Sequence, residues 1–398
     1  MNNPSRTEVG KPMWRKFAYL LLAFLILASV SFGAQKTSGK KTYRVYVGTY
    51  TEHDSKGIYA FQFDSSSGKA GSVELVAETT NPSFLAIEPK HRYVFAANEI
   101  SEYQGKKSGG VSAFAVEPGS GKLTFLNEVS SGGAGPCHLA VDKTGKYVLV
   151  ANYDTGSIAA FPIQADGKLV EASSVIQHTG HGPDAERQKG PHAHNIAISP
   201  DNRFVIANDL GLDQLLVYHL DTTKGTLTAN QPPFASVEPG AGPRHAAFHP
   251  SGRFVYSINE MTGSVSAFRY DAKVGTLQHL QTISSLPPGY KGTIESAEIT
   301  AHPSGKFLYA SNRGDANTIA VFSIDSSGML KTIESAPAIG KTPRNFAIDP
   351  AGQFLLVAGQ ESNNVVVFRI DPKTGRLTAT GQVVDVPMPV CLIFVPIN

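Results

Sequence analysis

The stretch GPRHAAFHPSGRFVYSINE, Gly242–Glu260, decides the fold of this chain. An apolar run, Ala246–Phe248, leads into His-Pro-Ser-Gly, and a second run, Arg253–Ile258, ends at Asn259-Glu260. Two strand-like runs around a Pro/Gly turn read as a buried β-hairpin. Its open end carries charge on both strands. Arg244 and His245 stand at the entry of the first, and Glu260 follows the end of the second.

The same unit recurs. First strands read NPSFLAIEP from Asn81, GPCHLAVDK from Gly135, PHAHNIAISP from Pro191, IESAEITAHP from Ile294, TPRNFAIDP from Thr342 and MPVCLIFVP from Met388. Second strands end at Asn98, Asn152, Asp209, Asn312 and Gly359. A third strand, a Gly-containing turn and a short fourth strand follow in each, so the period is roughly 50 residues with four strands per unit. The two ends complement each other. YRVYVGTY, from Tyr43, is a second strand lacking its first, and PVCLIFVP, near the C-terminus, is a first strand with nothing after it. The terminal segment therefore supplies the inner strand of the first unit and closes seven units into a ring without open sheet edges. An open solenoid would carry distinct polar caps instead. The expectation is an all-β, seven-bladed β-propeller over residues 43–398. The one tryptophan, Trp14, lies outside it, which excludes the Trp-Asp type of propeller.

Residues 1–34 are of a different kind. Lys11, Arg15 and Lys16 precede an apolar run from Phe17 to Phe32, followed by Gly33 and Ala34. That pattern reads as an export signal, cleaved after Gly33 or Ala34, or as an N-terminal anchor if uncleaved. The run is short for a membrane span, which needs about 20 residues. An exported, periplasmic or extracellular protein is expected, with membrane contact only through an uncleaved leader. Without this segment 31 basic residues face 32 acidic ones. A near-neutral chain lacking basic runs excludes a nucleic-acid partner on charge. The two cysteines, Cys137 and Cys391, fall in different registers of non-adjacent units and are expected as free buried thiols.

Chemistry is sought where the repeat is broken. The third or fourth residue of each first strand is Ser83, Cys137, His194, Arg244, Ala297, Arg344 or Val390, and the next is Phe84, His138, Asn195, His245, Glu298, Asn345 or Cys391. A position committed to packing would be apolar in every copy; these are not. Strand-one entries and strand-two ends share one end of each hairpin, so these residues are expected at one mouth of the central channel, with Glu260 and Arg313 beside them. Several have plain structural readings. Asn98, Asn152 and Asp209 suit strand-end side chains bonded to turn backbone. His249 and His302 suit turns. Arg344 suits a pair with a neighbouring carboxylate. His192 and His194 form His-x-His, but no third ligand has metal-site spacing, and nothing calls for a cofactor. The long polar segment Gln177–Gly190 leads to His194 and reads as a decorative loop or as a lid offering Arg187 or Gln188.

The motifs YVGTYT, PCHLAVD, ANYDTGSIAAFPI, RQKGPHAH, NDLGLDQ, GPRHAAFHP, SNRG and TPRNFAIDP, in this order from Tyr46 on, resemble the lactonase family of seven-bladed propellers. That family includes propeller-type 6-phosphogluconolactonases and fungal carboxymuconate cyclases. The resemblance implies a catalytic set of one histidine, two arginines and a glutamate, and His194, Arg244, Glu260 and Arg313 occupy the matching motifs. It implies a metal-independent lactone hydrolase acting on a small anionic sugar lactone. The export signal departs from a cytosolic sugar-phosphate enzyme.

On this reading His194 is the general base, since an ordinary imidazole titrates near neutrality at about 6.5. Arg244 and Arg313 stabilise the oxyanion. Glu260 orients an arginine or the histidine, or serves as the acid. Arg344, His245, Asn312 and His138 are the expected substrate-binding residues. Alternatives are a carboxymuconate-type cycloisomerase, using the same arginines to hold two carboxylates, and an exported propeller that binds a ligand without catalysis.

Overall fold

Inner and second strands pair antiparallel in every repeat because both are apolar and joined by a short turn. In the opening stretch, Pro243–Phe248 pairs with Phe254–Asn259, which pairs with Ser264–Asp271, which pairs with Thr276–Ser284. A computed structural model describes residues 42–397, together with residues 1, 2 and 4. The expected leader lies outside the described residues. Among those described there is no helix; six sheets built in this order follow one another along the chain, and a seventh holds both chain ends and has its outer strand in two pieces, Lys69–Ala70 and Glu74–Glu78.

The ring closes as the sequence implies. Pro389–Pro396 pairs antiparallel with Thr42–Thr49, from Tyr43 opposite Pro396 to Thr49 opposite Pro389. We number blades from this mixed one: blade 1 holds both chain ends, and blades 2 to 7 have the inner strands Pro82–Ile87, Pro136–Val141, Ala193–Ile198, Pro243–Phe248, Ser296–Ala301 and Pro343–Ile348.

The core lies between blades. Each neighbouring pair shares one apolar cluster, seven in all. Val45, Val47, Phe61 and Phe63 of blade 1 pack on Phe354, Leu356, Val365 and Val367 of blade 7. Burial of such surface at about 25 cal/mol per Å² makes every blade depend on both neighbours. The turn histidines add links at the far end of the hairpins. His249 bonds Ser251 through Nδ1 and the Gly305 carbonyl of the next blade through Nε2, and His302 repeats this with Ser304 and Gly352. The turn reading thus holds, and each histidine also ties two blades together.

Candidate active site

Each inner strand begins with a β-bulge. Pairing slips by one residue at its start in all seven blades: between Pro243 and His245 in blade 5, between Ala193 and Asn195 in blade 4, and between Pro343 and Asn345 in blade 7. The extra residue is therefore His194, Arg244 or Arg344. A bulge leaves one residue unpaired and re-aims its side chain. In blade 5 the chain enters from Gly242 at φ 64°, a left-handed conformation that glycine adopts freely. The Gly242 carbonyl then accepts the Glu260 N–H at 2.8 Å. The same clamp joins Asn81 to Glu99, Gly135 to Tyr153, Glu295 to Arg313 and Met388 to Tyr50. It sets a second ring of side chains beside the bulge residues.

Glu260 is the centre of charge. Its carboxylate lies 2.6 Å from Arg187 Nη2, 2.8 Å from Arg244 Nε and 3.1 Å from Arg313 Nη2. Burial alone would push this carboxyl up, but Arg313, Arg244 and Arg187 outweigh it and hold it at about 2. Glu260 therefore has no proton to give near neutrality, which removes the expected acid role and leaves it orienting arginines. Burial pulls Arg313 down to about 10 against the pull of Glu260. Arg244, only 2% exposed, also gives Nη1 to His245 Nε2 at 3.2 Å and to the Ala297 carbonyl at 2.9 Å.

Arg344 is arranged differently. No carboxylate lies within salt-bridge distance of it among the described residues, so its expected carboxylate pair is corrected. Its Nη2 donates to Tyr50 Oη at 2.8 Å, and the hydroxyl donates onward to Glu99 Oε2 at 2.9 Å. The guanidinium also stands over the Tyr50 ring, 5.3 Å from its centroid.

His194 joins this group but does not titrate near neutrality as expected. Burial, then the positive charge of Arg244, push its pKa well below the ordinary 6.5. It is a neutral imidazole, with Nδ1 3.6 Å from Cys137 Sγ. No described residue bonds its Nε2. The ring meets Tyr153 edge-on at 5.3 Å, and Tyr153 in turn stacks on His192 at 4.5 Å. His192 Nδ1 donates to the Tyr153 carbonyl. Among the described residues no group of three His, Cys, Asp or Glu side chains converges as a metal site would require.

The positions after the bulges form a closed floor rather than part of the mouth. Phe84 lies 4.0 Å from His138, and His138 lies 5.1 Å from His245. Asn195 Nδ2 donates to His138 Nε2, His245 Nδ1 donates to Glu298 Oε2, and Asn345 Nδ2 donates to the same oxygen. All of these are buried except Phe84, which is half-buried. Both nitrogens of His245 are occupied by Arg244 and Glu298. His138 and His245, expected to bind substrate, are thus in the floor, bonded to protein. Asn312 is corrected more firmly. It is fully buried, giving Nδ2 to the Ser285 carbonyl and Thr318 Oγ1 and taking Ser285 and Ser296 hydroxyls at Oδ1. Asn98 and Asn152 are spent likewise, on the link between the previous blade's fourth strand and their own blade's inner strand: Asn98 Nδ2 bonds Thr79 Oγ1 and the Thr80 carbonyl, and Asn152 Nδ2 bonds the Ser131 carbonyl.

Of the loop residues, Arg187 reaches Glu260 with a side chain 43% exposed. Gln188 does not reach the mouth: its Nε2 bonds the Leu210 carbonyl and Asp213. Sequence reasoning weighed Arg187 only as one option, missed Tyr50, and placed Glu99 at the mouth with the other strand-two ends without giving it a role. The signal for those two was present, because both directly follow a second-strand end, as Glu260 does. Cys137 and Cys391 are buried and unpaired.

The family profile described as Lactonase, 7-bladed beta-propeller, matches residues 44–394. The chain belongs to this lactonase family. It is 38% identical over 350 residues to the 6-phosphogluconolactonase of Bacillus subtilis, covering 88% of this chain and 97% of that one. It is 38% identical over 343 residues to the 6-phosphogluconolactonase of Formosa agariphila, covering 85% and 95%. The structure of the periplasmic gluconolactonase of Pseudomonas aeruginosa matches with a TM-score of 0.85 at 36% identity, covering 90% of this chain and 100% of that one.

Proposed function

We propose that this lactonase-family protein hydrolyses a sugar lactone, either 6-phosphogluconolactone or its unphosphorylated counterpart. The observation that carries the reading is the charge at the mouth. Four guanidiniums, those of Arg187, Arg244, Arg313 and Arg344, gather there against two carboxylates: Glu260, which lies among three of them, and Glu99, which meets the fourth only through the Tyr50 hydroxyl. A site left net positive suits an anion that forms during reaction, the tetrahedral oxyanion of ester cleavage, and an anionic group on the substrate. The relatives named above support the same substrate class.

Arg244 and Arg313, locked by Glu260, are preorganised to meet the oxyanion. Arg344 and Arg187 grip the outer part of the substrate, and a phosphate would face them. His194 meets the substrate as a neutral imidazole through Nε2. The apolar run of residues 17–32 and the periplasmic relative support an exported protein.

The test is a panel of glucono-1,5-lactone, its 6-phosphate and a carboxymuconate, assayed with wild type and His194→Ala. Ring opening of at least one lactone is expected, with kcat in His194→Ala falling much more than KM rises. Turnover of the carboxymuconate alone would make the protein a cycloisomerase, and turnover of none would leave a binding propeller.

A further inference from the structure

We propose that Glu99 is the general base of lactone opening, acting on a water held in the cavity between Ser83, Arg244 and Arg344. The inference rests on the lactonase reading and deepens it.

Ser83, Glu99, Arg244 and Arg344 are among the residues that line the cavity, which offers about 10 Å³ to the centre of a water molecule. That is room for about one water. A sugar lactone does not fit there, so the substrate lies above it, at the mouth. The walls call for a water. Ser83 is 4% exposed, and its Oγ has no hydrogen-bond partner. Such buried hydroxyls are normally bonded, and a water needs two to four polar partners. Ser83 Oγ, a guanidinium and a carboxylate supply three.

Glu99 is the carboxylate left for proton transfer. Glu260 is occupied by three guanidiniums. Glu298 is sealed in the floor, with Oε1 bonded by the Ile299 N–H and Oε2 by Asn345 and His245. Glu99 has Oε2 engaged by the Tyr50 hydroxyl, and no described residue bonds Oε1. The Tyr50 hydroxyl also accepts from Arg344. It thus holds the carboxylate beside a guanidinium without a direct ion pair that would neutralise it. The backbone is fixed as well: the Glu99 N–H donates to the Asn81 carbonyl, and Asn81 Nδ2 donates to the Glu99 carbonyl. His194 is a poor competitor, because burial and Arg244 oppose its protonation.

A water proton moves to Glu99 Oε1 as the water oxygen bonds the lactone carbonyl carbon. The carbonyl π pair moves onto its oxygen, which faces the guanidiniums. The oxyanion collapses and the bond from that carbon to the ring oxygen breaks. Glu99 returns the proton to the ring oxygen, giving a hydroxyl. The new carboxylic acid ionises to solvent, so one lactone and one water give one hydroxy acid.

The test uses the full chain with glucono-1,5-lactone and its 6-phosphate, each rate corrected for spontaneous opening. Glu99→Gln, which keeps the Tyr50 bond, is expected to lose at least about 100-fold in kcat, the usual worth of a general base, with KM within about threefold. Added formate should restore Glu99→Ala in a saturable way that chloride does not. Ser83→Val, which fills the cavity and leaves Glu99 in place, should show the same kcat loss at unchanged product affinity. A Glu99→Gln enzyme within threefold of wild type, a Glu99→Ala enzyme that formate does not restore, or a normal kcat in Ser83→Val would overturn the assignment while the lactonase reading stands. A wild type that opens neither lactone would overturn the lactonase reading, and the role of Glu99 with it.

Discussion

Replacing Glu260 by Gln removes the one negative charge shared by Arg187, Arg244 and Arg313 and keeps the shape of the side chain. The carboxyl is 5% exposed and is held at about 2, against an ordinary value of 4.5. At 1.36 kcal/mol per pH unit, that gap corresponds to about 3 kcal/mol of stability. The figure agrees with the 3–5 kcal/mol typical of breaking a buried ion pair from one side. The sign follows from the direction of the shift. A carboxyl depressed by folding stabilises fully above its unfolded value and loses that stabilisation as pH falls toward its folded value. The gap between wild type and Glu260→Gln should therefore be full at pH 7, begin to close below about 4.5, and stand at less than half by pH 3. Thermal unfolding at constant ionic strength reads it. With an unfolding entropy of about 2 cal/mol/K per residue, the melting temperature at pH 7 should drop by about 4 °C. Equal melting temperatures at pH 7, or a gap that stays constant down to pH 3, would refute the shared-carboxylate account.

Phosphate or 6-phosphogluconate should raise the melting temperature of the wild type saturably, by about 2.7 kcal/mol of stability at a hundred times its Kd. Sodium chloride of equal ionic strength should not reproduce this, and Arg344→Ala should lose most of the shift while remaining folded. Because His194 stays neutral well below pH 6.5, kcat should hold level from pH 7.5 to 6, where an ordinary imidazole base would already cost about half or more of the rate; a fall centred near 6.5 would contradict its burial. Deleting residues 387–398 removes the inner strand of blade 1 and uncovers Thr42–Thr49. The soluble yield should collapse, and a truncated chain with unchanged melting temperature would sink the ring closure.

The fold was legible because the repeat is covalent information. Each copy spells out its own hairpin, and the unmatched ends PVCLIFVP and YRVYVGTY can be satisfied only by each other. The site was legible in position and less so in role. Strand ends reveal which residues share a mouth, so Arg244, Glu260 and Arg313 group together on sequence alone. Period-2 alternation does not reveal the bulge. Without it, Arg244 and His245 look equivalent, whereas the bulge sends Arg244 to the mouth and leaves His245 in the floor. Burial was likewise invisible for His194. Its neutral state comes first from that burial and then from Arg244, His245 and Arg344 on other blades, which meet it only in the closed ring.

The bulge also explains how a buried arginine is tolerated in a fold held by apolar interfaces. Beyond the polar floor, the inner-strand residues that pair in the ladder pack between blades in apolar clusters. The extra residue of a bulge has no such duty, so it varies freely from Val390 to Ser83 to Arg244 without disturbing a neighbour. The remaining cost is electrostatic, since an unpaired buried guanidinium is strongly unfavourable. The hairpin meets that cost locally. The Gly242 carbonyl that ends the left-handed entry also takes the Glu260 N–H. The bond that frames the bulge thus fixes the counter-charge 2.8 Å from Arg244 Nε. Arg187 and Arg313, arriving from other blades, then draw on a carboxylate already in place. Moving Glu260 one residue along the strand end would break this geometry even with the composition unchanged.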